Sequence, residues 1–150
     1  MEFYRVLTFR ELGDERGNLV AIEGGQEVPF EIKRVFYMYG TDDSMVRGQH
    51  ANRESQFVLI NVSGSSKVRI NDGMGHEVVV NLDKPRIGVF IPRMVWKEMY
   101  DFSSDSVILC LADTHYDGKE YIRDFDAYQE EVRNREMPAM FWTIRLFRLA

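Results

Sequence analysis

The strongest constraint on the fold is a series of short apolar segments, each followed by residues typical of turns. Residues 35–39 are aromatic or β-branched apart from one methionine and end at Gly40, and the apolar run 57–62 ends at Ser63-Gly64. Further segments of this kind are residues 67–70, 78–80, 86–91, 95–100 and 107–111. A spacing of about 8–12 residues with turns between them predicts an all-β sandwich or barrel. Strands do not alternate with helices, which disfavours a Rossmann-type fold.

The pattern changes after Tyr116. Residues 120–135 are polar, with apolar side chains at helical spacing, and predict one amphipathic helix packed on the β core. We expect Pro138 to end this helix, so that the domain comprises residues 1–138. Residues 139–150 form an apolar tail that alternates like a strand. We predict that the tail packs on a neighbouring subunit, the alternative being that it docks on its own domain.

Composition excludes several classes of protein. A chain of 150 residues suits one domain with its own core. Its single cysteine, Cys110, allows no internal disulfide and indicates a reducing, cytoplasmic setting. No apolar run approaches the roughly 18 residues of a membrane span, and the N-terminus lacks a signal-peptide pattern. A net charge of −5 argues against a nucleic-acid surface.

Common catalytic and metal-binding motifs are missing from the sequence. The three histidines, His50, His76 and His115, show no metal-ligand spacing, and we expect neither a metal nor another cofactor. There is no P-loop, dinucleotide-binding glycine motif or serine nucleophile elbow. Cys110 lies in the apolar run 107–111 and is predicted to be an inert core thiol.

His50 is the main candidate for chemistry. In a regular strand over residues 47–52, Gly48, His50 and Asn52 share one face and Arg47 points the other way. Gly48 would leave room for a ligand on the His50 face. The alternative is a histidine with only a structural role.

A phenol is a possible partner for this imidazole. Val35, Tyr37 and Tyr39 share a face of their own predicted strand. If that face lines the same cavity as His50, the imidazole and the Tyr37 phenol converge. Such a pair moves protons near neutral pH.

Several basic side chains lie near the proposed cavity: Arg34, Arg47, Arg86, Arg93 and Lys97. A few of them converging on one opening would bind a diphosphate. Trp96 is either a core residue or a stacking surface, and the sequence leaves both possibilities open.

Eight segments carry a resemblance to a known family. They are residues 16–23, 28–37, 47–51 (Arg-Gly-Gln-His-Ala), 71–73, 95–99 (Val-Trp-Lys-Glu-Met), 101–103, 116–117 and 121–126. In order and spacing they resemble the sugar-nucleotide 3,4-ketoisomerases, the WxcM-like, FdtA-type branch of the cupins. The resemblance implies a small cupin-type β-barrel (jelly roll), here with one C-terminal helix, and a homodimer that exchanges N-terminal strands.

The resemblance also implies an activity. Family members convert dTDP-4-keto-6-deoxyglucose to the 3-keto sugar without a metal, on the way to amino sugars of surface polysaccharides such as the lipopolysaccharide O-antigen. The implied partner is therefore a dTDP-linked keto-sugar. By the same resemblance, His50 and Tyr37 lie in the active site. The substrate contacts would come from Arg34, Arg47, Gly48, Trp96 and Lys97.

Two positions depart from the family pattern. Asn52 stands where the pattern has a second histidine, and Lys97 replaces the histidine of Val-Trp-His-Glu-Met. Our mechanistic hypothesis makes His50 the base, Tyr37 the group that polarises or reprotonates the oxygen, and Asn52 a hydrogen-bond donor to the enediolate. The alternatives are a non-catalytic protein that binds nucleotide sugars, a 3,5-epimerase, and a purely structural role.

Overall fold

The computed structural model describes the backbone of residues 2–148 and the side chains of residues 2–136. Within these residues, strands account for nearly all regular structure before residue 125. The strands are β1 Arg5–Thr8, β2 Glu11–Asp14, β3 Gly17–Val20, β4 Arg34–Tyr39, β5 Arg47–Asn52, β6 Phe57–Ser63, β7 Ser66–Asn71, β8 Glu77–Leu82, β9 Ile87–Ile91, β10 Trp96–Tyr100, β11 Val107–Ala112 and β12 Tyr121–Ile122. A 3-10 helix covers Gly118–Glu120, and helix α1 covers Phe125–Arg148.

The strands form two five-stranded sheets. The first has the order β1-β9-β6-β11-β4 and the second β12-β5-β10-β7-β8, while β2 and β3 form a separate hairpin. Neighbouring strands in both sheets are antiparallel. The prediction of an all-β fold with one C-terminal helix is therefore confirmed. The sheets form a sandwich with open edges rather than a closed barrel.

The main core lies between the two sheets. Strand β7 shows how it is built, because Val68 and Ile70 are buried while Lys67 and Arg69 between them are partly exposed. A second cluster, formed by Phe9, Val28, Phe30, Val58, Ile60 and Leu111, covers the outer face of the first sheet. Residues 57–60 are buried on both faces of the sheet, which explains why their apolar run does not alternate.

Helix α1 packs on the outer face of the second sheet. Tyr128 is fully buried there; its hydroxyl donates to the carbonyl oxygens of Met94 (2.8 Å) and Asn71 (3.1 Å). Burial raises the pKa of this hydroxyl. Trp96 packs against Tyr128 and Phe125 in the same cluster, with ring centroids 5.6 and 5.1 Å apart. Of the two possibilities for Trp96, the structure shows the core residue beneath the helix, and its predicted substrate contact stays a prediction.

The helix differs from its predicted bounds at both ends. It begins at Phe125 rather than near residue 120, because Tyr121 and Ile122 pair with Asn52 and Ala51 of β5 instead. The side chain of Asp124 accepts the backbone N–H of Ala127 (2.8 Å) and caps the first turn.

At the other end the helix runs through Pro138 to Arg148, so the predicted stop and the predicted strand over the tail are both wrong there. Residues 149 and 150, and the packing of the tail side chains, lie outside the described residues. No described helix has the length and apolar character that crossing a membrane requires.

Replacing Tyr128 by phenylalanine should lower the free energy of unfolding by about 1–3 kcal/mol, because two part-buried carbonyl oxygens lose the hydroxyl hydrogen that they share. Urea denaturation measures the change. The matched control is Tyr116→Phe, on an exposed ring, with an expected effect within about 0.5 kcal/mol. Equal stability of the two variants would contradict this role of the hydroxyl.

Candidate functional site

A β-bulge shapes the candidate site. Opposite β10, His50 pairs with Lys97 and Gly48 pairs with Glu98, so that Gln49 is an extra residue in β5. Both bulge residues have left-handed backbone conformations, with φ of 83° at Gly48 and 55° at Gln49. A bulge of this kind interrupts the alternation of side chains along the strand.

The bulge corrects the predicted orientation of Arg47. Paired residues of antiparallel strands place their side chains on the same face. His50 pairs with Lys97 and Arg47 with Met99, and both of these partners are buried in the interior. Arg47 therefore shares the inner face with His50 instead of pointing away from it.

Gly48 has a different role from the predicted one. A Cβ atom at this position would lie 2.8 Å from the Lys97 carbonyl oxygen, and its φ favours glycine. The residue allows β5 and β10 to approach each other closely at the bulge. The structure thus ties this glycine to strand pairing rather than to space for a ligand.

His50 is a neutral, half-buried imidazole. Its Nδ1 atom lies 2.9 Å from the carbonyl oxygen of Gly48, which can only accept, so Nδ1 carries the hydrogen and Nε2 is the acceptor. Burial and the nearby charge of Lys97 lower the pKa of His50 to about 4. At neutral pH the ring therefore has the protonation state of a general base.

The aromatic partner of His50 is Tyr121, not Tyr37. The Tyr121 ring meets the imidazole edge to face, with centroids 4.8 Å apart. Tyr37 is 63% exposed on the outer face of β4 and stacks on Tyr39. The alternate residues of this strand, Arg34, Phe36 and Met38, face the core. The predicted convergence of His50 and Tyr37 is therefore wrong within one chain.

Sequence reasoning missed Tyr121 because residues 120–135 as a whole have helical spacing. The two-residue strand β12 is too short to show a period of its own. A usable signal was the aromatic residue two positions before the Arg123-Asp124 pair, near the start of the predicted helix.

Arg34 lies on the inner face of β4 among aromatic rings. Its guanidinium carbon is 5.4 Å from the Phe36 ring centroid, 5.8 Å from that of Phe57 and 5.7 Å from that of Tyr116. Within the described residues, its Nε and Nη2 atoms are buried without a hydrogen-bond partner. Buried charged donors of this kind are costly unless an acceptor reaches them, so Arg34 is suited to bind an anionic group.

Three of the five predicted basic residues gather around Cys110. The charges of Arg34, Arg47 and Lys97 all act on its thiol, whose pKa burial nevertheless raises to about 12. The prediction of an inert core thiol is confirmed. Of the other two basic residues, Arg93 pairs with Asp113 (2.9 Å) near the surface and Arg86 lines a groove beside the β2–β3 hairpin.

A buried polar chain adjoins the imidazole. The Nζ atom of Lys97 donates to Oδ1 of Asn52 (2.8 Å), and Nδ2 of Asn52 donates to Oε1 of Glu120 (2.9 Å). All three side chains are buried. Burial lowers the pKa of Lys97 to about 7, although the carboxylate of Glu120 acts in the opposite direction.

Glu120 was not predicted as a site residue. Its carboxylate also accepts from the backbone N–H groups of Glu54 (2.8 Å) and Ser55 (2.9 Å) and from the Ser55 hydroxyl. It belongs to the 3-10 helix that leads into β12. Glu120 therefore fixes the segment carrying Tyr121 to the end of β5.

The remaining histidines lie away from His50. His76 is exposed in the β7–β8 hairpin, where its ring bonds to Asp72 at 2.7 Å, and His115 is exposed in a loop. Among the residues with described side chains, no three His, Cys, Asp or Glu side chains form a group suited to a metal ion.

Comparison with known proteins identifies the family. Residues 2–133 match the model of the family FdtA: WxcM-like, C-terminal. The chain is 40% identical over 128 residues to TDP-4-oxo-6-deoxy-alpha-D-glucose-3,4-oxoisomerase of Aneurinibacillus thermoaerophilus. The aligned residues cover 85% of this chain and 91% of the relative.

Two solved structures are closely similar. A 3,4-ketoisomerase from Helicobacter canadensis is 42% identical, with a TM-score of 0.84 over 87% of this chain and 97% of the other. The QdtA 3,4-ketoisomerase from Thermoanaerobacterium thermosaccharolyticum, as a histidine-to-asparagine variant in complex with TDP-4-keto-6-deoxyglucose, is 36% identical. Its TM-score is 0.86 over 90% of this chain and 97% of the other. The chain thus belongs to the FdtA-type, WxcM-like family that its sequence motifs resemble.

Proposed function

We propose that this protein is a sugar-nucleotide 3,4-ketoisomerase that moves the keto group of a dTDP-4-keto-6-deoxyhexose from C4 to C3. The observation that carries this proposal is a neutral, half-buried His50 on the same inner face as Arg47 and Lys97. Its relatives of 36–42% identity are named as 3,4-ketoisomerases or the equivalent oxoisomerase, and one was solved with the keto-sugar nucleotide.

The chemistry requires only proton transfers. Nε2 of His50 removes the proton on C3, next to the C4 carbonyl, and an enediol forms. The oxygen on C3 then loses its proton while C4 gains one, so the sugar is oxidised at C3 and reduced at C4. The substrate exchanges oxidation level within its own carbon chain, and the imidazole acts as general base.

The nucleotide end of the substrate needs positive charge. Arg34 has two buried guanidinium atoms with no partner in the described part of the chain, and Arg47 lies at the exposed start of β5. Guanidinium groups bind phosphate oxygens in pairs. We assign the diphosphate to these two arginines.

A non-catalytic protein that binds nucleotide sugars is the second candidate function, favoured by Asn52 and Lys97 at positions where the family pattern has histidines. A 3,5-epimerase would also begin by removing a proton beside the C4 carbonyl. Product analysis separates all three, since epimerisation inverts a centre and ketoisomerisation moves the carbonyl.

The finer setting is also part of the proposal. We place the protein in the cytoplasm, in deoxysugar synthesis for surface polysaccharides such as the O-antigen of lipopolysaccharide. Its single buried thiol and the nucleotide-linked substrates of its relatives support this setting.

We further propose a homodimer formed through the outer face of the first sheet and the β2–β3 hairpin. Apolar side chains are exposed along this surface: Leu12, Leu19, Val35, Tyr37, Tyr39 and Val62. A groove of about 540 Å³ runs between the hairpin and the sheet, lined by apolar residues such as Ile60 and Leu109. Exposed apolar patches of this kind are typical of subunit interfaces. The apolar tail over residues 139–150 is a second predicted contact.

Incubation with dTDP-4-keto-6-deoxyglucose in deuterated buffer tests the activity. We expect the 3-keto sugar as product, with deuterium at the carbon that is reprotonated, and roughly a 10²–10⁴-fold loss of kcat in His50→Asn because the base is removed. NMR identifies the product, and calorimetry with TDP should show unchanged binding.

The matched control for this experiment is His76→Asn, which alters an exposed hairpin histidine and should leave kcat unchanged. Full turnover by His50→Asn would remove His50 from the mechanism. Substrate binding without exchange in the wild type would favour the non-catalytic function.

The low pKa of His50 predicts an unusual pH profile. A base must be unprotonated, and its unprotonated fraction falls as the pH drops through its pKa, here about 4. Between about pH 6 and pH 5, kcat/KM should therefore stay nearly level, whereas a histidine with an unperturbed pKa of about 6.5 would lose most of its rate. Circular dichroism at each pH controls for unfolding, and a steep loss in folded protein would contradict the assignment.

The proposed dimer predicts that Tyr37→Asp yields monomers in sedimentation velocity, since a carboxylate would be buried in an apolar contact at a cost of several kcal/mol. The control is Val79→Asp, at another exposed apolar position, on β8 of the other sheet. A Tyr37→Asp protein that sediments as a dimer would show that this face is not the interface.

A further inference from the structure

We propose that Glu120 and Asn52 are positioning residues that hold the ammonium of Lys97 beside His50, where it stabilises the negative charge on the enediolate oxygen. This inference rests on the proposed isomerase function. It assigns a role to the two positions at which the chain departs from its family pattern, and to a carboxylate that no sequence motif singled out.

The position of Lys97 carries the first step of the argument. Lys97 pairs with His50 across the β5–β10 ladder, so their side chains share the inner face of the sheet. The ammonium is almost completely buried and lies 4.8 Å from the centroid of the Phe57 ring. Within the described residues, Asn52 is the one acceptor of a hydrogen bond from this ammonium, which leaves donors for a substrate oxygen.

The way in which Asn52 links two charges carries the second step. A buried ammonium is costly unless it is paired, and among the described side chains it contacts no carboxylate directly. Asn52 accepts from Lys97 with its oxygen and donates to Glu120 with its nitrogen. The amide therefore links the Lys97 ammonium to the Glu120 carboxylate by two hydrogen bonds and separates the carboxylate from the reacting groups.

The rigidity of Glu120 carries the third step. Besides Asn52, its carboxylate accepts from two backbone N–H groups and one hydroxyl in residues 54–55. These hydrogen bonds restrict the carboxylate to one position and orientation. A fixed anion at this end of the chain holds the amide, and through it the ammonium, in one arrangement.

The titratable and charged groups around Lys97 determine how this arrangement depends on pH. Glu120 from the 3-10 helix, His50 from β5 and Cys110 from β11 face it, and Arg34 and Arg47 act on the same thiol. Burial lowers the pKa of Lys97 to about 7, while Glu120 raises it. The ammonium is charged below this pH and neutral above it, so its stabilising effect is lost as the pH rises.

Glu120→Gln tests this arrangement because it removes the carboxylate charge and keeps the size of the side chain. Without that charge the pKa of Lys97 should fall further, so the high-pH loss of kcat should move to lower pH by about one unit or more. An NMR titration of the Lys97 side chain should show the same shift without substrate. The matched control is Glu131→Gln. The Glu131 carboxylate pairs with Arg53 and is not linked to Lys97 through Asn52, so this variant should shift neither measurement.

Two further variants keep the test decisive if Glu120→Gln folds poorly. Lys97→Met should lower kcat by roughly 10²-fold or more with little change in KM, as when a single oxyanion donor is removed. Lys97→Arg retains a charge that does not titrate near pH 7, so it should restore part of kcat and abolish the high-pH loss.

If the wild-type protein is active, two results would overturn this inference alone. One is a high-pH loss of kcat that is unchanged in folded Glu120→Gln, and the other is full kcat in folded Lys97→Met. Wild-type protein with no isomerase activity would overturn the proposed function, and the enediolate role with it.

Discussion

The bulge at Gly48 and Gln49 is the feature on which the site depends. One extra residue in β5 places Arg47 and His50 on the same inner face, opposite Met99 and Lys97. Both residues of the bulge have left-handed backbone conformations, and the close approach to the Lys97 carbonyl leaves no space for a Cβ atom at Gly48. In a regular strand Arg47 and His50 would lie on opposite faces. The bulge places both on the same face.

Desolvation sets the chemical state of the groups that the bulge brings together. His50 loses affinity for a proton because it is buried near a cation, and Lys97 becomes able to titrate near neutral pH because it is buried completely. The negative charge of Glu120 partly offsets the effect of burial on the pKa of Lys97. The same packing that builds the sandwich therefore gives an imidazole base and an ammonium within one small region.

Much of the fold could be predicted from local patterns. Turn residues between short apolar segments indicated the strands, and the motif around His50 indicated the family. Trp96 could not be assigned, because a tryptophan on a strand fits either face and only the packing of α1 decided between them. Tyr37 was predicted as the aromatic partner of His50 in place of Tyr121 for two reasons. The sequence does not show which face of β4 is exposed, and it does not show that the two residues after the 3-10 helix pair with β5.

By itself, the sequence determined the all-β class, the helix that follows it, the family and His50 as the candidate base, since each depends on local periodicity or on residues close together in the chain. The tertiary structure decided the orientation of Arg47, the aromatic partner of His50 and the link from Lys97 to Glu120. The reason is that a single-residue bulge reverses the facing of side chains, and contacts such as that between Asn52 and Glu120 join positions 68 residues apart. Such contacts form only when the strands have packed.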